Sequence, residues 1–105
     1  MTKAERQIAR IEKMESTLNQ VVSATGQLNE ALEAFEKVPA QALVLSSYLG
    51  SENWWADFEA DADGKLPDDL RRGVLSEDGI FNALEDYREV LVRMLKAVTA
   101  GIKNG

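Results

Sequence analysis

The segment Glu59-Ala60-Asp61-Ala62-Asp63-Gly64-Lys65-Leu66-Pro67-Asp68-Asp69-Leu70 is where the residue types of this chain come closest to a binding chemistry. Laid on a calcium-binding loop of the EF-hand kind, it puts oxygen ligands at the first, third and fifth positions (Glu59, Asp61 and Asp63), glycine at the sixth and an apolar residue at the eighth. The last position should supply a bidentate Glu and holds Leu70 instead, and Pro67 disturbs the loop backbone. Two readings follow. One is a weak calcium or magnesium site through the acidic loop at 59–69. The other is a helix that ends at Gly64 and runs on into a solvated acidic loop.

The aromatic residues offer a different chemistry. Trp54 and Phe58 are four apart and share a helical face, while Trp55 points about 100° away from Trp54. One reading buries these rings as core. The other leaves one of the two indoles, Trp55, partly exposed in an acidic rim as the anchor for a protein partner, since aromatic anchors ringed by charge are common hot spots. The residues assigned to that partner surface are Tyr48, Trp54, Trp55, Asp57, Asp61, Arg72, Glu77 and Asp78. Arg72 is expected to pair with Asp57 or Asp61, and Ser76 to cap the helix that follows.

What the chain lacks narrows the chemistry further. It has no His and no Cys, which removes disulfides, thiolate nucleophiles, sulfur-ligated zinc and the usual general base. No nucleophile and base pair can be named, so no catalytic residue and no cofactor is expected, and an enzyme is the least supported class. With 12 Lys plus Arg against 18 Asp plus Glu the net charge is −6. A field of that sign repels nucleic-acid phosphate and anionic membrane, so neither is an expected partner. A small acidic mimic of nucleic acid would need acids spaced along one face, and the cluster between Glu52 and Asp69 is compact instead. No run approaches the roughly 18 consecutive apolar residues of a membrane span, and the first twenty residues hold no signal-peptide core, so a cytoplasmic protein is expected.

The charge is not spread evenly. Residues 1–37 hold five bases and six acids, residues 38–79 three and nine, and residues 80–105 four and three. The whole excess sits in the middle, with the tryptophans.

The flanking segments are the elements that must position that middle. From Thr2 to Lys37, Ile11, Met14, Leu18, Val21, Leu28, Leu32 and Phe35 fall on the a and d positions of one heptad frame, with polar Thr25 at one a site. Thr2 and Glu5 fit a capping box, and Pro39 marks the end. About 35 residues at ~1.5 Å each give a rod of roughly 50 Å. A second seam runs through Ile80, Leu84, Tyr87, Leu91, Met94 and Val98, widened by Phe81, Leu95 and Ile102, with Glu77 and Asp78 expected in its first turn. Between them lie short helices: one from Pro39 closed by Gly50, one capped by Ser51, and a turn from Pro67 to Arg72.

Tyr48-Leu49-Gly50-Ser51, Trp54, Asp57, Gly64-Lys65-Leu66-Pro67, Leu70 and above all Arg72-Gly73-Val74-Leu75-Ser76-Glu77-Asp78-Gly79-Ile80 resemble a bacterial family known only as a domain of unknown function, number 4298. The resemblance covers the whole chain, with its recognisable words between Tyr48 and Leu84. Leu49 departs from the aromatic that the family more often places there. The resemblance implies a bacterial host and a helical fold, and carries no activity with it.

The expected architecture is all-α, a single helical domain over 1–105: an antiparallel hairpin of two long amphipathic helices (about 3–37 and 77–103) with two or three short helices within 39–72 packed across one end. Two thirds of the unfolded chain's surface should be buried. The expected role is that of a non-enzymatic protein-interaction module working through the acidic, aromatic middle. The first helix outruns the last, so a homodimer through the long helices is weighed against a monomer.

Overall fold

Thr2 starts the first helix as its sequence requires. Its backbone is extended (φ −73°, ψ 166°) and its hydroxyl accepts the Glu5 amide at 3.1 Å, satisfying one of the donors that a helix start leaves open. A computed structural model, which describes every residue except Glu77, carries this helix, α1, from Lys3 to Phe35. α2 spans Val38–Tyr48, α3 Glu52–Ala62 and α4 Gly79–Asn104, with a 3₁₀ turn at Gly73–Leu75. No strand occurs among the described residues, so the chain is all-helical as expected. None of these helices, among the described residues, is long and apolar enough to cross a membrane.

The chain divides into two compact units, Met1–Val38 and Pro39–Gly105. The first unit is α1. None of its residues is buried, and its apolar stripe of Ile11, Met14, Leu18, Val21, Leu28 and Leu32 is 41–58% exposed along its length. The two long helices fall in different units, and the hairpin expected of them is a feature of neither.

The second unit is built around α3. Gly50 takes a left-handed φ of +77° after α2, and Ser51, again extended, accepts the Trp54 amide at 3.2 Å and starts α3. At the far end Gly64 has φ +69°, with its amide on the Asp61 carbonyl at 3.1 Å and the Lys65 amide on the Ala60 carbonyl at 3.0 Å. This bond pair is a Schellman ending, which seals the last carbonyls of α3. The core is small: Trp54, Leu75 and Ile80 are the buried apolar side chains, from α3, the 3₁₀ turn and α4 in that order. The turn contacts both helices and acts as the block between them.

Two local expectations are sharpened. The turn expected over Pro67–Arg72 is present at Pro67–Leu70, where the Leu70 amide donates to the Pro67 carbonyl at 3.2 Å, and a 3₁₀ turn that was not expected follows at Gly73–Leu75. Arg72 reaches back to the same Pro67 carbonyl at 2.7 Å. The last helix starts at Gly79, so Asp78 flanks it and its first turn holds no acid, while Glu77 lies outside the described residues. The reason is the Ser76 hydroxyl, which donates to the Gly73 carbonyl at 2.9 Å and accepts the Gly79 amide at 3.0 Å. Ser76 thereby locks turn and helix together. Gly79 fits because it has no side chain: a Cβ there would run into the Gly73 carbonyl and lie 2.6 Å from Ser76 Oγ.

Candidate partner-binding surface

The surface begins with three rings on one short helix. Trp54 is 5% exposed, and its indole N–H donates to the Val74 carbonyl at 2.9 Å, so the ring is fixed at both its apolar face and its polar edge. Phe58 stacks on it with centroids 5.2 Å apart and planes 20° from parallel. Trp55 meets both rings edge-on, at 4.9 Å from Trp54 and 6.1 Å from Phe58. It is nevertheless 54% exposed. A large apolar plate is thus held against a rigid base while half its surface faces outward.

Its charged neighbours follow from helix spacing. Glu52 and Glu59 lie three residues before and four after Trp55, on the same side of α3, and both are exposed. Glu59 was a metal-ligand candidate on sequence, and Glu52 did not enter the expected surface at all. Their relation to Trp55 was readable from the i−3 and i+4 offsets once α3 was known to start at Glu52.

The other carboxylates of α3 point to internal tasks. Asp57 accepts the Tyr48 hydroxyl at 2.6 Å, tying α2 to α3. That bond to a carboxylate, with desolvation and the negative charge of Asp57 adding to it, raises the Tyr48 pKa above the ordinary value of 10.0. Asp61 accepts Arg72 at 2.7 Å, with both side chains about one third exposed. Arg72 therefore chooses Asp61 over Asp57, and its second nitrogen holds the Pro67 carbonyl, a fork that fastens the irregular segment to the end of α3. Asp78 is exposed and makes no capping bond with its side chain.

The metal reading loses its loop. Glu59 and Asp61 are on the final turns of α3, and Asp63 is its C-cap, where an EF-hand ligand run needs irregular backbone. Asp61 is committed to Arg72 and Asp63 lies 3.9 Å from Lys65. Among the described residues no group of three carboxylates is placed to hold an ion.

Beside the Tyr48–Asp57 bond is a shallow depression of about 330 Å³, floored by Leu66, Leu70, Val74 and Leu75. Of the assigned residues, Tyr48 is bonded to Asp57 and Arg72 to Asp61, Trp54 is buried with Trp55 resting on it and facing out, Asp78 stands apart from these bonds, and Glu77 lies outside the described residues. A family model described as a domain of unknown function (DUF4298) matches residues 11–97. No curated protein and no solved structure matches. The chain belongs to the DUF4298 family.

Proposed function

We propose that this protein is a non-enzymatic interaction module that takes a basic protein partner on the exposed side of α3, with Trp55 as the anchor. The observation that carries the reading is the contrast between adjacent indoles: Trp54 is buried and hydrogen-bonded, while Trp55 rests on it and stays more than half exposed. A ring already held in one orientation loses little freedom when a partner covers it, which is how aromatic anchors reach high contact energy. Glu52 and Glu59 beside it, within the segment that carries the whole negative excess, favour a partner of positive charge.

The test is quantitative capture of partners by the full chain compared with Trp55→Ala and with a Glu52→Lys, Glu59→Lys double variant, all at matched concentration. One prey should be lost from both variants and weakened by salt in the native chain, with the thermal transition of each variant kept. Equal recovery by all three proteins would end the proposal. So would collapse of the fold in Trp55→Ala, because the ring would then be core.

A further inference from the structure

We infer that Trp55, Glu52 and Glu59 form a seat for an arginine side chain of the partner, its guanidinium stacked on an open face of the indole and its N–H groups donating to the carboxylates. The seat rests on the reading of Trp55 as partner anchor and names the group that meets it. All three residues, and the two rings that support the indole, lie on α3 alone.

The geometry of the rings is the first support. Trp54 and Phe58 are stacked with planes 20° apart, and Trp55 stands across both, at 81° and 80°. Neither ring is stacked on it. From the centroid separations of 4.9, 5.2 and 6.1 Å, the cosine rule places the two neighbours only about 55° apart as seen from Trp55, so they gather on one side of it. At least one face of the indole therefore has no ring against it, and the residue is 54% exposed. Such a face is the negative pole of the ring quadrupole and attracts a cation.

The carboxylates supply the second. Five acids run from Glu52 to Asp63. Asp57 accepts the Tyr48 hydroxyl, Asp61 accepts Arg72 and Asp63 lies beside Lys65. Glu52 and Glu59, three residues before and four after Trp55, are the two left without a hydrogen bond or ion pair among the described residues. The unpaired acids of α3 are thus the pair that brackets the exposed indole. Residues 38–64 contain no Lys or Arg, so neither α2 nor α3 supplies the missing cation.

Arginine fits this pair of features better than lysine. A guanidinium is planar and weakly hydrated, so it stacks on an aromatic face and keeps in-plane N–H donors for carboxylates beside the ring. An ammonium is a compact, strongly hydrated point charge, which gains from the acids and less from the ring.

The test titrates the full chain, labelled with heavy nitrogen, with two end-capped peptides of equal charge, hexa-arginine and hexalysine. The two indole N–H resonances report separately. Hexa-arginine should move the Trp55 resonance, leave that of hydrogen-bonded Trp54 in place, and bind about two- to five-fold tighter than hexalysine, the scale of one exposed cation–π contact. In Trp55→Leu, which keeps an apolar side chain without a π face, the two peptides should bind alike, with the Trp54 resonance showing the fold intact. Glu52→Gln with Glu59→Gln should weaken both peptides more than Asp68→Asn with Asp69→Asn, the same change of charge on two exposed acids beyond α3. Equal binding of the two peptides by the native chain, with the Trp55 resonance moving in each, overturns the arginine seat and leaves the basic-partner reading standing. An arginine preference that survives Trp55→Leu, or equal losses in the two acid variants, places the peptides elsewhere and also overturns it. A Trp55 resonance untouched by either peptide overturns both the seat and the anchor on which it rests.

Discussion

Two neighbouring tryptophans with opposite surroundings make the sharpest predictions at the level of the residue. Trp54→Ala removes a ring from a core of three buried apolar side chains and leaves the Val74 carbonyl without its donor. At about 3–5 kcal/mol for a buried aromatic, the loss is enough to unfold residues 39–105, and urea titration should show no cooperative transition. Trp55→Ala gives up edge contacts worth about 1 kcal/mol, so its transition should survive with a slightly lower midpoint. Tyr48 gives a prediction in pH. Its pKa is raised in the fold by the bond to Asp57, so the bond's contribution is complete below pH 10 and declines as pH rises through the unfolded value and on to the folded one. Stability measured between pH 8 and 11 should therefore fall more steeply for the native chain than for Tyr48→Phe. Equal slopes would remove Tyr48 from the alkaline transition. The residue types and caps were legible in the sequence: Thr2, Ser51, Gly50 and Gly64 each do what their chemistry allows. Partner choice was not, because Arg72 could reach either Asp57 or Asp61, and only the turn that precedes Gly73 decides which.

For the elements, the 3₁₀ turn at Gly73–Leu75 carries most of the consequence. It supplies Leu75 to the core, the Val74 carbonyl to Trp54 and the Gly73 carbonyl to Ser76. Periodicity cannot find such an element, since three residues are too few for a period, and the sequence showed only the Pro67 turn that precedes it. Gly79→Ala tests it: the new methyl would meet the Gly73 carbonyl and Ser76 Oγ, and a loss of about 1–3 kcal/mol is expected in chemical unfolding. Gly26→Ala is the control, in open space on α1, and should be neutral or stabilising. The end of α3 gives the second test at this scale. Because a Schellman bond pair closes the helix at Gly64 and Asp61 is held by Arg72, millimolar calcium should leave the melting temperature of the chain unchanged. A rise with calcium, absent in Asp63→Asn, would restore the loop as a metal site.

On the scale of the molecule, most of the −6 charge belongs to one unit, Pro39–Gly105, which carries −5. The α1 segment is nearly neutral, and the acidic excess belongs to the residues around α3. The helices were readable because heptads, caps and breakers are local. Which surface covers each stripe is a non-local choice, and the same a/d spacing serves an internal partner and a second chain alike.

The exposed indole of Trp55 also makes the surface self-reporting. Light absorbed there is emitted by a ring in contact with solvent, whereas the emission of Trp54 comes from an apolar enclosure sealed by a hydrogen bond. A dissolved collisional quencher reaches the first and not the second, and its sign of charge matters: with Glu52 and Glu59 alongside, a caesium ion is drawn in and an iodide ion is turned away. The difference between those two quenchers is a titration of the field at the ring itself, and it should vanish when anything basic settles over Trp55.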